Sequence, residues 1–209
     1  MSSLLLVRHG ETEWSRTHRH TGLTDLPLTA FGERQAGALA PALAARRVRH
    51  AFTSPLQRAR RTAELAGLQP QVEPDLVEWD NGGYEGRATE DIRTERPGWW
   101  LWTDGVPPGE TPGENADEVA ERCRRVIRRV AGLLDDGDVA LVAHGHTLRV
   151  LAAVWLGLPG SAGGLFTLEP ATLCSLGVYR GHRVVETWND TAHFAALPDP
   201  VTPHDPQPS

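Results

Sequence analysis

Three short polar segments of the sequence each follow directly on an apolar run of strand length. The segments are Arg8-His9-Gly10, Ser54 to Arg58 and His144-Gly145. In open α/β sheets, ligands bind beyond the carboxyl ends of the strands. The sequence therefore predicts that two arginines and two histidines meet in one pocket there: Arg8, Arg58, His9 and His144.

Such a group of side chains is suited to hold and transfer a phosphoryl group. An arginine guanidinium presents a planar fork of N–H donors to phosphate oxygens, and a neutral imidazole nitrogen can attack phosphorus. The chain has 21 basic Lys and Arg residues, and all of them are arginine. Mechanisms that need a lysine, such as a Schiff base, a pyridoxal phosphate anchor or a P-loop, are therefore excluded.

Two histidine pairs, His18/His20 and His144/His146, raise the alternative of a metal site. Neither pair is accompanied by carboxylates or thiolates at the spacing of metal ligands. We therefore expect neither a metal nor another cofactor. The positive charge that a phosphoryl transfer requires would then come from arginine.

The overall composition is that of an ordinary globular protein. Hydrophobic residues make up 40% of the 209 residues and charged residues 23%, and the formal net charge is −6. An acidic chain lacks the basic face of a general nucleic-acid binder, and no apolar stretch approaches the roughly 18 residues of a membrane span. We expect a small phosphorylated molecule as the partner, with no nucleic acid and no membrane. The oligomeric state stays open.

The cysteines and the first apolar run predict a cytoplasmic protein, and the length of 209 residues predicts one domain. Cys123 and Cys174 are too few for a disulfide framework, and the first apolar run, residues 4–7, is too short for a signal peptide. Both features are typical of a reducing compartment. The domain is predicted over residues 1–196. Residues 197–209 contain five prolines and no periodicity, so they are predicted to be disordered.

Apolar periodicity predicts strands that alternate with helices. Strands are predicted over residues 4–7, 48–53, 139–143, 173–179 and 184–188, and helices over 29–45, 54–66, 115–134 and 147–157. Ser54-Pro55 and the pair Asn115/Glu118 are predicted helix starts. This order is typical of a three-layer α/β/α sandwich with a mostly parallel central sheet. Residues 78–113 fit no regular element well and are predicted to form an insertion over the carboxyl ends of the strands.

The segment VRHGETEW, residues 7–14, resembles the signature of the histidine phosphatase superfamily, also called the phosphoglycerate-mutase-like family. The resemblance continues in order through GLTDLPLTAFGERQA, TSPLQRARRTAE, LVEWDNGGYEG and LVAHGHTLR, and it covers most of residues 4–157. The segments TEWS, TGLTDLPLT and AHGHTLR are most similar to the sedoheptulose-bisphosphatase-like and actinobacterial acid-phosphatase-like members.

The resemblance implies a role for each residue that matches the motifs. His9 is implied to be the nucleophile that becomes phosphohistidine, and Glu78 to be the proton donor to the leaving oxygen. Arg8, Arg58 and His144 are implied to complete the phosphate pocket, where arginine neutralises phosphoryl oxygens as metal ions do elsewhere. Six further residues are implied to bind substrate: Thr12, Ser15, Thr21, Gly22, Gly145 and His146.

The implied function is a phosphomonoesterase that hydrolyses small phosphorylated metabolites, such as sugar phosphates, through a phosphohistidine intermediate and without a metal. Two alternatives stay open: a cofactor-dependent phosphoglycerate mutase and a broad-specificity acid phosphatase. Ser15 and Asn81 stand where many members have Asn and a bulky aromatic residue, so the substrate stays unnamed. The tryptophans of the insertion are predicted either to line or cap the pocket or to pack as a separate cluster. They are Trp79, Trp99, Trp100 and Trp102.

Overall fold

A six-stranded sheet forms the centre of the protein. The computed structural model describes residues 2–197, so the disorder predicted for residues 197–209 falls, except at Leu197, outside the described residues. The strands are β1 (Leu4–Arg8), β2 (Val48–Thr53), β3 (Gln71–Val72), β4 (Asp138–Ala143), β5 (Leu173–Tyr179) and β6 (His182–Asp190). Their order across the sheet is β3-β2-β4-β1-β5-β6. The first four are parallel, and β5 and β6 are antiparallel to their neighbours.

Helices connect the strands and cover both faces of the sheet. The α-helices of the described residues are α1 (Glu13–Arg16), α2 (Ala30–Ala44), α3 (Gln57–Leu65), α4 (Thr89–Glu95), α5 (Leu101–Asp104), α6 (Ala116–Val130) and α7 (Gly145–Trp155). Short 3-10 helices lie at Pro74–Leu76, Gly82–Tyr84, Ala131–Asp135, Gly160–Leu165 and Ala192–Ala196. Within residues 2–197, no helix is long and apolar enough to cross a membrane.

The sheet separates two apolar cores. Along β1, Leu4 and Leu6 belong to the core that contains α6 and α7, whereas Leu5 and Val7 belong to the core that contains α2 and α3. All four side chains are fully buried. Successive side chains of a strand point to opposite faces, so one continuous apolar run serves two helical layers. The predicted three-layer α/β/α sandwich with a mostly parallel sheet is confirmed.

The helix α3 begins later than the sequence predicts. Its first residue is Gln57 rather than Pro55, and Leu56 occupies the N-cap position without a side-chain hydrogen bond. The hydroxyl of Ser54, the predicted N-cap, lies 2.7 Å from Nε2 of His144. The predicted start was wrong: Oγ of Ser54 accepts from the N–H of Leu56 at 3.3 Å and also binds His144 at the end of β4, but the helical backbone begins only at Gln57.

Residues 78–113 contain helices that the sequence pattern did not indicate. The helix α4 has seven residues and α5 has four, so each is too short for a helical periodicity to stand out. Trp79, Trp99 and Trp102 are buried in the core that also contains α6 and α7. Aromatic packing against that core, rather than local propensity, therefore stabilises this segment.

Two glycines of α2, Gly32 and Gly37, form a matched pair for a test of the packing of α2 against the chain that follows β1. A Cβ at Gly32 would lie 2.1 Å from the backbone oxygen of Glu11, whereas a Cβ at Gly37 would meet nothing within 4 Å. We expect Gly32→Ala to lower the free energy of unfolding by about 1–3 kcal/mol, because backbone must shift. Gly37→Ala should raise it by about 0.5–1 kcal/mol through helix propensity. Urea unfolding measures both, and equal effects would contradict the close approach at Gly32.

Candidate active site

His9 lies directly after β1, at the carboxyl end of the strand. Its backbone N–H donates to the carbonyl oxygen of Ala143 at 2.9 Å, so the ends of two parallel strands fix its position. Its Nδ1 lies 2.7 Å from the carbonyl oxygen of Gly10. Because a carbonyl oxygen only accepts, Nδ1 carries the proton and Nε2 keeps a free lone pair. This tautomer is the one in which Nε2 can act as a nucleophile.

The surroundings of His9 keep its ring neutral. The residue is 4% exposed, and burial lowers its pKa well below the ordinary 6.5, with further lowering by the charges of Arg58 and Arg8. The hydrogen bond to Gly10 raises the pKa but does not offset these effects. Since only the neutral ring has a lone pair, a low pKa preserves the nucleophile at acidic pH.

His144 packs against His9, with the two ring centres 5.1 Å apart. Nε of Arg58 lies 3.2 Å from Nδ1 of His144, and Oγ of Ser54 lies 2.7 Å from Nε2. A guanidinium only donates, so Nδ1 accepts and Nε2 carries the proton, which is donated to Ser54. Burial, followed by the charge of Arg58, lowers the pKa of His144 well below 6.5. His144 is therefore a neutral ring in the opposite tautomer to His9.

Arg8 is the last residue of β1, and its guanidinium lies in the same site as His9. Its Nη1 donates to the carbonyl oxygen of Leu168, and its Nε is buried without a hydrogen-bond partner. A buried donor without an acceptor costs about 1–3 kcal/mol, so an anion that accepts from Arg8 is favoured here. Gly145 leaves room for this guanidinium, because a Cβ at that position would lie 3.3 Å from Nε.

Glu78 meets the first turn of α7 through its carboxylate. Oε1 accepts from the N–H groups of Trp79 and Thr147, both at 2.9 Å, and lies 3.0 Å from Oγ1 of Thr147. Oε2 accepts from the N–H of His146 at 3.1 Å. A carboxylate oxygen has two lone pairs, so Oε2 keeps one that can carry a proton. Backbone donors thus hold a nearly buried carboxyl group in one orientation.

These side chains surround a cleft of about 360 Å³. The predicted residues that line it are Arg8, His9, Ser15, Thr21, Glu78, Gly145 and His146. Arg58 and His144 are fully buried next to His9 rather than in the cleft wall. The structure thus brings together the five residues that were predicted to be catalytic, and their chemical roles stay predictions.

Thr12 and Gly22 do not line the cleft. Their hydrogen bonds instead hold neighbouring residues of the site in place. Oγ1 of Thr12 accepts from the N–H of Ser15 at 3.2 Å, and Oγ of Ser15 accepts from the N–H of Thr12 at 2.9 Å. The N–H of Gly22 donates to the carboxylate of Glu85, and its carbonyl oxygen accepts from Arg58 at 2.8 Å. Asn81 is likewise buried away from the cleft. Substrate binding by the six predicted residues stays a prediction.

Several residues of the lining were missed by sequence reasoning. They are His18, Arg19, His20, Thr89, Arg149 and the segment 167–170. Arg149 ends the motif AHGHTLR, and His18 and His20 were visible as a histidine pair, so these three had a signal. The segment 167–170 connects the 3-10 helix at Gly160–Leu165 to β5, and no pattern in its sequence marks it as part of a site.

The tryptophans of residues 78–113 support the cleft wall without lining it. Trp79, Trp99 and Trp102 are at most 4% exposed, and Trp100 is 42% exposed on the surface. The ring centres of Trp102 and His146 are 5.6 Å apart, and those of Trp99 and His20 are 5.5 Å apart. The rings of His20 and His146 stack at 5.9 Å. Three of the four tryptophans thus neither line the cleft nor form a separate cluster, because they belong to the core that contains α6 and α7.

The hydrogen-bond partners of His9 and His144 predict a distinct NMR signature. With ¹⁵N-labelled imidazoles, long-range ¹H–¹⁵N spectra should show His9 protonated at Nδ1 and His144 protonated at Nε2. Both rings should stay neutral as the pH falls through about 6.5, where free histidine in the same sample becomes cationic. The reason is that burial and neighbouring arginines lower both pKa values. A His9 ring that becomes cationic together with free histidine would contradict this description.

The chain belongs to the histidine phosphatase superfamily. The family model named histidine phosphatase superfamily (branch 1) matches residues 4–191. Acid phosphatase from Mycobacterium tuberculosis is 36% identical over 201 residues, which cover 95% of each chain. Sedoheptulose 1,7-bisphosphatase from Saccharomyces cerevisiae is 37% identical over 74% of this chain and 67% of that protein. Probable phosphoglycerate mutase GpmB from Cronobacter sakazakii is 35% identical over 94% and 96% of the two chains.

Solved structures share the fold described above. One of an open reading frame from Mycobacterium tuberculosis has a TM-score of 0.85 and 36% identity, and covers 90% of this chain and 97% of that chain. Mycobacterial glucosyl-3-phosphoglycerate phosphatase has a TM-score of 0.80 and 28% identity, over 91% and 100% of the two chains. The family predicted from the motifs and the predicted fold class are thus both confirmed.

Proposed function

We propose that this protein is a phosphomonoesterase that hydrolyses small phosphorylated metabolites through a phosphohistidine at His9. The observation that carries the proposal is the free Nε2 of a buried, neutral His9, which shares one cleft with the guanidinium of Arg8 and the carboxyl group of Glu78. Relatives named acid phosphatase and sedoheptulose 1,7-bisphosphatase support hydrolysis as the reaction.

In the first step, Nε2 of His9 attacks phosphorus and the bond from phosphorus to the substrate oxygen breaks. Protonated Glu78 gives its proton to that oxygen, which leaves as an alcohol while the phosphoryl group stays on His9. Arg58 donates one N–H each to His144, Thr24 and Gly22. Arg8 is the arginine of this pair that lines the cleft, so its guanidinium is placed to bind the phosphoryl oxygens, while the charge of the buried Arg58 stabilises them from behind.

In the second step, water attacks phosphorus and the bond between phosphorus and Nε2 breaks. The carboxylate of Glu78 takes a proton from this water, so the products are inorganic phosphate, neutral His9 and protonated Glu78. One carboxyl group thus serves as the acid and then as the base. The two steps together consume one water and regenerate both side chains.

One wall of the cleft supports a substrate with a second anionic group, such as a sugar bisphosphate or a phosphorylated acid. Arg149 lines this wall, and its guanidinium stacks on the ring of Trp102 at 4.4 Å. Burial lowers its pKa to about 10, which still leaves it cationic at neutral pH. The carbonyl oxygen of Gly163 accepts from its Nε at 3.1 Å, so the guanidinium is held in place with its Nη groups available.

A phosphoglycerate mutase is the second candidate, because relatives carry the name probable phosphoglycerate mutase GpmB. A mutase must transfer the phosphoryl group back to a substrate rather than to water. We expect the chain to release inorganic phosphate from 3-phosphoglycerate and from sugar phosphates. Interconversion of phosphoglycerates primed with 2,3-bisphosphoglycerate, without release of phosphate, would favour the mutase over the proposed phosphatase.

Activity should be independent of divalent metal ions, because arginines supply the positive charge that metal ions supply in other phosphoryl transfers. Among the residues that the structure describes, no three His, Cys, Asp or Glu side chains are grouped as metal ligands. We expect turnover of a sugar phosphate to be the same before and after treatment with excess EDTA. Loss of turnover in EDTA that a divalent ion reverses would contradict the proposed mechanism.

A cytoplasmic location is part of the same proposal. Cys123 and Cys174 are both buried as free thiols, and burial raises the pKa of Cys123 to about 12 and that of Cys174 to about 11. Unpaired thiols are typical of proteins that work in a reducing compartment. Fractionation of the source cells followed by detection of the protein tests this location.

A further inference from the structure

An ion pair outside the cleft holds the segment that carries Glu78. Its members are Arg122, on the buried side of α6, and Glu114, which lies just before that helix. Nε and Nη2 of Arg122 donate to the two carboxylate oxygens of Glu114 at 2.9 and 3.0 Å. Arg122 is only 5% exposed. A bidentate pair of this kind fixes the plane of the guanidinium as well as its position.

Arg122 also binds the chain segment that precedes Glu78 and the first turn of α7, which contacts the carboxylate of Glu78. Nη1 donates to the carbonyl oxygens of Asp75 and Val77 at 2.9 and 2.7 Å, and Nη2 donates to Oγ1 of Thr147 at 3.3 Å. With the two bonds to Glu114, all five N–H groups have acceptors. Val77 precedes Glu78 in the chain, and Thr147 donates to its carboxylate.

Glu114 holds the chain on the other side of Glu78. Its Oε2 accepts from the N–H of Asp80 at 3.0 Å, and its backbone carbonyl oxygen accepts from Nε1 of Trp79 at 2.8 Å. Its own N–H donates to the carbonyl oxygen of Asp80 at 2.9 Å. The ion pair therefore contacts Val77, Trp79 and Asp80, which flank Glu78, as well as Thr147, which touches its carboxylate.

We infer that Arg122 and Glu114 are positioning residues that hold the carboxyl group of Glu78 where it can transfer a proton. The inference rests on the proposed function, in which Glu78 is the acid. Desolvation offsets much of the attraction within a buried ion pair, so a gain in stability explains the pair poorly. Orientation explains it better, because a displacement of about 1 Å at a reacting group can slow a reaction on the order of 100-fold.

The test compares two leaving groups in Arg122→Lys. A lysine keeps the charge, but one ammonium group cannot reach five acceptors in the plane of a fork. We expect single-turnover phosphoenzyme formation to fall about 100-fold on a sugar phosphate, whose alkoxide needs a proton to leave. On p-nitrophenyl phosphate, whose phenolate leaves unaided, the rate should fall less than about threefold. Inhibition by inorganic phosphate should be unchanged, since the phosphate pocket is not touched.

Arg125→Ala is the matched control. Arg125 lies on the same helix and donates to the carboxylate of Asp75, but it is exposed and has no contact with Val77, Thr147 or Glu114 in the described hydrogen bonds. Both rates should stay within about twofold of wild type, as is usual for an exposed pair. Glu114→Gln is the second variant, for use if Arg122→Lys does not fold, and it should show the same selective loss.

Equal losses on the two substrates, or no loss in a folded Arg122→Lys or Glu114→Gln protein, would overturn the positioning role. Failure of the proposed function gives a different result. In that case wild type forms no phosphoenzyme, or Glu78→Gln itself does not distinguish the two substrates. A wild type that forms phosphoenzyme, with a selective Glu78→Gln variant and a non-selective Arg122→Lys variant, overturns this inference alone.

Discussion

Replacement of His9 by alanine is expected to abolish turnover and to leave the fold intact. The substitution removes the ring nitrogen that would bond to phosphorus, and His144, the imidazole packed against it, cannot take its place, because its Nδ1 faces Arg58 and its Nε2 donates to Ser54. The loss should be at least about 100-fold, which corresponds to about 2.7 kcal/mol of activation free energy. Steady-state hydrolysis of a sugar phosphate measures it.

His182→Ala serves as the control for the His9 variant. His182 is an exposed residue at the start of β6, the edge strand that β5 separates from β1, and it lies outside the cleft lining. The His182→Ala variant should hydrolyse substrate at the wild-type rate, and both variants should keep the wild-type circular dichroism spectrum. Turnover by His9→Ala above about 1% of wild type would contradict the assignment of the nucleophile.

The second large effect is expected for Glu78→Gln, and it should depend on the leaving group. Glutamine keeps an oxygen that can accept from Trp79 and Thr147, but it cannot give a proton to the leaving oxygen. A general acid contributes about 10²–10⁴-fold, so phosphoenzyme formation from a sugar phosphate should fall by at least about 100-fold. The same step with p-nitrophenyl phosphate should be nearly spared, because its phenolate leaves without a proton.

Glu169→Gln is the matched control for this comparison. Glu169 supplies a second carboxylate to the cleft, but it is exposed. Its backbone N–H donates to the side-chain oxygen of Asn189. Removal of its charge should change the rates on the two substrates by the same factor. If Glu78→Gln also lowers both rates equally, Glu78 only positions the phosphate and the acid must be another group.

Much of this fold could be predicted from the sequence, because its elements have strong local signals. The run Leu4 to Val7 is apolar on both faces of its strand, which is typical of a buried parallel strand. The capping box of Asn115 and Glu118 marks the start of α6 correctly. The placement of His9, Arg58 and His144 after strands followed from the geometry of parallel sheets, in which the carboxyl ends share one edge.

The remaining features depend on contacts between residues that are far apart in sequence. Glu78 has no local signal, since its environment is the first turn of α7, 68 and 69 residues further along the chain. Ser54 has a signal for a helix cap, but α3 begins only at Gln57, and the Ser54 hydroxyl also contacts His144, 90 residues further along the chain. Arg122 reads as one of several arginines on a helix, and only the fold shows that it is buried against Glu114 and Val77.

The most direct test of the account is to trap the intermediate on His9. Wild-type protein is mixed with a substrate labelled in its phosphoryl group, the reaction is stopped within one turnover, and the labelled peptide is located by mass spectrometry. We expect an adduct that is stable in base, labile in acid and attached to the peptide that contains His9, and we expect no adduct in His9→Ala. Label on another residue, or phosphate release by wild type with no labelled intermediate, would contradict this expectation.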